Sequence, residues 1–141
     1  MFKEIKNAEV IHFKTRISVR ITDHNYGDHL ANSVFVDYLH EGRAQFLASL
    51  GYSEMDVEGV ALILSELHVK YAKQATYPDT LHLEIALSNI RGTRFDMDYR
   101  GIDDSGDLLI IAKAEIAAID YATGKPLRLP EAFKSRFELD G

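Results

Sequence analysis

The sequence predicts an α+β domain, an antiparallel sheet packed against one long helix. Three observations predict it. Phe35, Leu39, Phe46 and Leu50 recur at three- and four-residue multiples between about residues 32 and 50, the period of an amphipathic helix. Period-two alternation runs on either side, at Phe13, Thr15, Ile17, Val19 and Ile21 before it and at Leu81, Leu83, Ile85 and Leu87 after it. The later alternating segments are separated only by short turns, which join antiparallel neighbours.

The elements follow in chain order. "HFKTRISVRIT" sets its apolar positions against Lys14, Arg16, Ser18 and Arg20, so one face of the first strand is buried and the other wet. The helix starts at Asn32 or Ser33, either of which is a suitable cap, and Gly51 stops it. Gly42 lies beside its buried face and costs about 1 kcal/mol against alanine there. A glycine at that place implies close approach to another element. "VEGVALILSELHVKYA" combines a buried run with alternation at Leu67, Val69 and Tyr71. Three more strands follow: one after a turn at Pro78-Asp79, one through Phe95, Met97 and Tyr99, and the long "LLIIAKAEIAAIDY" after the tight turn "DDSGD". "EAFKSRFEL" is a short final helix.

The 141 residues form one domain spanning 1–141, long enough for a real core. Composition is 46% hydrophobic and 27% charged, with a net charge of −6. That balance argues against a nucleic-acid partner, whose backbone demands a basic surface, but allows an anionic small ligand in a local basic pocket. There are no cysteines, hence no disulfide framework, thiolate nucleophile or cysteine metal site. This suits a cytoplasmic protein. The N-terminus lacks the apolar run of a signal peptide, and no segment approaches the length of a membrane span, so no membrane partner is expected.

One stretch stands out. Residues 23–29 read Asp, His, Asn, Tyr, Gly, Asp, His, directly before the apolar helix. It is either an elaborate cap or a reaction site. The first N–H groups of a helix have no intrahelical partner and favour negative charge, so the backbone N–H groups of Asn32 and Ser33 are candidate oxyanion donors. Asn25 could add a side-chain amide. The six histidines are scattered, and His24 and His29 have no further ligand at helical spacing, so no metal site is expected. Serine-hydrolase elbows and phosphate-binding glycine loops are also absent.

The order of elements together with "DHNYGDHLAN", then Phe35, then "EGR" at 41–43, resembles the hotdog fold. More narrowly it resembles the 4-hydroxybenzoyl-CoA thioesterase-like branch of the acyl-CoA thioesterases. Asp23, His29, Asn32, Glu41 and Arg43 match the family pattern, and "YPDTLHLEI" and "DYATGKPLRLP" resemble its later segments. The resemblance spans about Lys14 to Pro130 and implies a curled antiparallel sheet around a central helix. It also implies acyl-thioester hydrolysis to a free acid and coenzyme A, with no cofactor beyond the coenzyme A of the substrate. A homodimer or homotetramer is the implied assembly. One departure matters: where one branch carries its catalytic Asp, this chain has Asn25, and an amide is neither nucleophile nor base at neutral pH.

In other branches a glutamate of the central helix carries the chemistry, and Glu41 is at that kind of position. On a helical wheel it falls between Val34 and Ala48, roughly opposite the main core face, so it is either a candidate base awaiting a covering subunit or a surface glutamate. His29 polarises the thioester or simply orders the loop. Asp23 orients His29 or Asn25, or serves as a strand-end turn residue. Tyr26 lines an acyl pocket or the core. Arg91, Arg94, Lys113, Lys70 and Lys73 are the cations available to coenzyme A phosphates. Two other functions remain open: a non-catalytic acyl-CoA-binding protein, made plausible by Asn25, and an acyl-thioester dehydratase.

Overall fold

The computed structural model describes residues 10–25 and 30–138. A five-stranded antiparallel sheet runs in the order β1-β3-β4-β5-β2, built from β1 (Phe13–Ser18), β2 (Ala61–Tyr71), β3 (Thr80–Arg91), β4 (Arg94–Ile102) and β5 (Leu108–Ile119). The long helix α1 (Asn32–Ser49) packs on one face, and a short C-terminal helix, α2 (Glu131–Glu138), packs beside it. Every strand pairs antiparallel with its neighbours. The α+β class and the run of four consecutive strands are therefore as the alternation implies.

Period two sorts the strands cleanly. Leu81, Leu83 and Ile85 of β3 and Phe95, Met97 and Tyr99 of β4 are all buried on the inner face. Phe35, Leu39, Phe46 and Leu47 of α1 meet them. β5 is buried on both faces near its start, from Leu109 to Ala112. Helix α2 closes one end of the core, where the Phe133 ring lies 5.2 Å from Phe95 and Phe137 lies 6.1 Å from Phe46.

Gly42 does what its place on the helix implies. A Cβ there would collide with Leu83 Cδ2 and crowd Ile85 Cδ1 at 3.4 Å, so the glycine lets α1 settle onto β3. The helix ends in a Schellman motif. Gly51 takes φ +84, its N–H donates to the Ala48 carbonyl, and the Tyr52 N–H donates to the Leu47 carbonyl.

Two expectations are corrected. The first strand ends at Ser18 instead of continuing to Ile21, which is 60% exposed in a 3-10 turn over Ile21–Asp23. The buried Asp23 carboxylate bends the chain there by accepting the Arg20 backbone N–H at 3.2 Å. Neither Asn32 nor Ser33 caps α1. Ala31 is the N-cap residue, with no side-chain cap bond, and its carbonyl accepts from the N–H groups of Val34 and Phe35.

Candidate functional site

The start of α1 faces a cleft of about 560 Å³ lined by Asn25, Leu30 to Asn32, Phe35 and Tyr71 to Gln74. Backbone bonds hold its walls. Leu30 N–H donates to the Ala75 carbonyl at 2.8 Å, and Ala31 N–H donates to the Asp23 carbonyl at 3.4 Å. Tyr77 N–H donates to His24 Nε2 at 2.5 Å, which makes that nitrogen an acceptor and ties the 72–79 segment to the loop before the helix. From across the cleft, the Tyr71 hydroxyl donates to the Asn32 carbonyl at 3.1 Å, and the Tyr71 and Phe35 rings meet edge-on at 5.7 Å.

Asn25 and Asn32 both line this cleft. Asn32 and Ser33 occupy the first two positions of α1, and no described residue accepts their backbone N–H groups. They are oriented donors at the positive end of an 18-residue helix. A carbonyl that gains negative charge in the cleft would find them without reorganisation.

Asp23 is buried behind this surface, where it anchors the loop. It accepts from the Tyr38 hydroxyl, from Arg20 Nε at 3.3 Å and from an Arg20 terminal nitrogen at 3.2 Å. Burial acts on its carboxyl first and pushes the pKa up. The hydrogen bonds from Tyr38 and Arg20 outweigh burial, and the net direction is down. The Tyr38 hydroxyl is driven up by its own burial and by the Asp23 carboxylate. Asp23 therefore stays ionised and engaged, an acceptor that fixes the chain just before Asn25.

Glu41 is not in the cleft. It follows Asn32 by nine residues, about 13.5 Å along the axis and half a turn around it at 3.6 residues per turn. Its side chain is exposed and accepts from Gln45 Nε2 at 2.8 Å. No described residue lining the cleft is a carboxylate. Tyr26 and His29 lie outside the described residues. Arg43, next along in the matching run, is buried. It donates to the Tyr99 hydroxyl at 3.2 Å and sits 3.6 Å from Glu54, so it supports the helix from within.

Sequence reasoning did not name Phe35 and Tyr71 as cleft walls. The signal existed: Leu67, Val69 and Tyr71 alternate, which puts Tyr71 on the helix side of β2. Lys73 is at the cleft too, but Asp103 (2.9 Å) and Asp107 (2.8 Å) already hold its ammonium. Donating to the Asp103 and Asp107 carboxylates raises the Lys73 pKa, and the bond from Lys73 in turn lowers that of Asp103. Arg91, Arg94 and Lys113 are likewise paired on the outer sheet face, with Glu115 or Asp98 at 2.5 Å. A second cleft, about 640 Å³, opens on that outer face beside Lys14, Arg16, His82 and Glu84. Its charges are largely matched internally, through Lys14–Glu84 and His82–Asp104. Among the described residues no three His, Asp or Glu side chains converge as a metal site. Among the described residues no helix is long and apolar enough to cross a membrane.

Comparison with known proteins agrees with this architecture. The acyl-CoA thioester hydrolase YbgC of Escherichia coli O157:H7 is 23% identical over 128 residues, covering 89% of this chain and 96% of that protein. Slr0204, a 1,4-dihydroxy-2-naphthoyl-CoA thioesterase from Synechocystis, superposes with a TM-score of 0.81 at 22% identity, over 92% of this chain and 98% of that one. A thioesterase from Thermus thermophilus, solved with coenzyme A and Zn, gives a TM-score of 0.80 at 19% identity, over 92% and 94% of the two chains. These likenesses establish the hotdog arrangement of sheet and central helix. The model of the thioesterase-like superfamily matches residues 19–137, and the chain belongs to that family.

Proposed function

We propose that this protein is an acyl-CoA thioesterase, hydrolysing an acyl thioester to the free acid and coenzyme A. The observation that carries the reading is the pair of N–H groups at the head of α1, Asn32 on the wall of an open cleft and Ser33 next to it, which no described residue accepts. In this reading the thioester carbonyl points at them, and the tetrahedral oxyanion is stabilised there. The Asn25 amide adds a donor, His29 helps to place substrate or water, and Tyr26 contributes to the acyl pocket. The Phe35 and Tyr71 rings supply an apolar wall. The reaction needs no cofactor, because the thioester carries its own leaving group.

Glu41 is the base or nucleophile of this proposal, supplied by a second copy. Its own helix start is about 13.5 Å away and faces the other side, whereas an exposed carboxylate is available to a neighbour. Edge strand β2 offers a place to join, with Ile63 47% exposed and Leu64 38% exposed beside an edge that no described strand pairs. A two-fold through such an edge is isologous and makes two equivalent sites.

The test is thiol release from short, medium, long and aromatic acyl-CoAs, with Glu41→Gln beside wild type. The protein has no cysteine to react with the thiol reagent. A loss of at least about 100-fold in Glu41→Gln is expected for a positioned acid–base group. Wild-type turnover in that variant would remove Glu41 from the chemistry. Binding without turnover on every acyl-CoA would favour a binding protein, and water addition to an enoyl thioester would favour a dehydratase.

A further inference from the structure

We infer that Gln45 and Thr15 form a relay that positions the Glu41 carboxylate. The inference rests on the proposed role of Glu41 and adds two residues that lie outside the family's matching motif. Gln45 Nε2 donates to Glu41 Oε2 at 2.8 Å, and the Thr15 hydroxyl donates to Gln45 Oε1 at 2.5 Å.

The order of donors follows from chemistry. An ionised carboxylate only accepts, so the face of the Gln45 amide turned to Glu41 must be its NH2. The amide oxygen is then turned to Thr15, whose hydroxyl must be the donor. Thr15 is half-buried on the helix side of β1, in register with Leu83, so the hydroxyl is held by the sheet. Gln45 is half-buried one turn after Glu41, while Glu41 itself is exposed. An exposed glutamate on a helix ordinarily samples several rotamers. Here the sheet selects the amide orientation, and the amide selects one carboxylate position.

Gln45 and Thr15 are positioning residues and touch no substrate. Gln45→Met keeps the length of the side chain and removes both ends of the relay, and Thr15→Val removes the hydroxyl at nearly constant shape. Each is expected to lower kcat on the best acyl-CoA roughly 10-fold, with KM within about 2-fold, because misplacing a reacting group acts on the chemical step. Thr15→Ser restores the hydroxyl and should recover most of the loss. In a Glu41→Gln background, Gln45→Met should cost nothing further, since residues acting as one unit are non-additive.

Three results overturn the relay. If Glu41→Gln is inactive while Gln45→Met and Thr15→Val keep wild-type kcat, the relay fails and the role of Glu41 stands. If both variants lose kcat but Thr15→Ser fails to restore it, or the losses persist additively in Glu41→Gln, the effect is packing. Wild-type activity in Glu41→Gln overturns the role of Glu41 and the relay with it.

Discussion

Replacing Tyr38 by Phe removes one oxygen atom and leaves the buried ring in place. That oxygen donates to the buried Asp23 carboxylate, whose other side-chain partner among the described residues is Arg20. A hydrogen bond to a charged group contributes about 1.5–3 kcal/mol, and its loss at a buried acceptor leaves the full desolvation cost uncovered. For a chain of this size that corresponds to a fall in Tm of roughly 6–12 °C. The pH dependence sharpens the test. The Asp23 carboxyl is held below its ordinary value in the fold. A carboxyl with a lowered folded pKa contributes stability that is present above its unfolded value, about 3.9, and is lost as pH falls through the folded value. The gap between wild type and Tyr38→Phe should therefore be widest near neutrality and narrow below about pH 4. Urea melts of both proteins across that range measure it. A gap under about 0.5 kcal/mol at pH 7, or one that stays flat into acid, would refute the assignment of Asp23 as an ionised anchor.

Gly42→Ala gains about 1 kcal/mol of helix propensity but drives a methyl into Leu83. A net loss of about 1 kcal/mol or more is expected from overpacking, read in a denaturant melt with unchanged slope. Ile63→Lys places a charge on the exposed outer edge of β2. Sedimentation should show a shift towards monomer, with turnover falling in parallel, if two copies join along that strand. Asn32→Pro deletes a single candidate oxyanion N–H. Ala31 already holds φ −65 and ψ 143, which suits a residue before proline, and the first helical position tolerates proline, so the fold should persist. Turnover should drop by about 10²- to 10³-fold, with the circular dichroism spectrum unchanged.

Local periodicity carried most of the architecture. The helix bounds, the four consecutive strands and the role of Gly42 are all visible in the spacing of apolar residues, because burial on one face imposes it. The end of β1 was not visible. Alternation continues through Val19 and Ile21, but a buried carboxylate two residues later turns the chain. Its partner, Tyr38, is fifteen residues away, and no local pattern announces the bond. The helix start was half legible. N–H groups without an intrahelical partner follow from any helix, but the cap proved to be Ala31, which has no side-chain cap bond and whose own carbonyl accepts the Val34 and Phe35 N–H groups. Glu41 and the cleft were both legible as candidates, through the family pattern. Their separation was legible too, since nine residues on a helix point half a turn apart. The cations are the opposite case: sequence shows Arg91, Arg94, Lys73 and Lys113 as charges, and only the fold shows that carboxylates already hold them.

In the proposed site, the helix start of one chain meets Glu41 of another. Asn32→Pro and Glu41→Gln, each inactive alone, should be denatured together, refolded in equal amounts and assayed for thiol release. Random pairing in a two-fold dimer makes half of the dimers mixed, each with one intact site, so about a quarter of wild-type turnover should return. If both groups served a single chain, no mixed dimer would hold an intact site. A mixture as inactive as its components, with mixed dimers demonstrated, would rule out a site shared between copies.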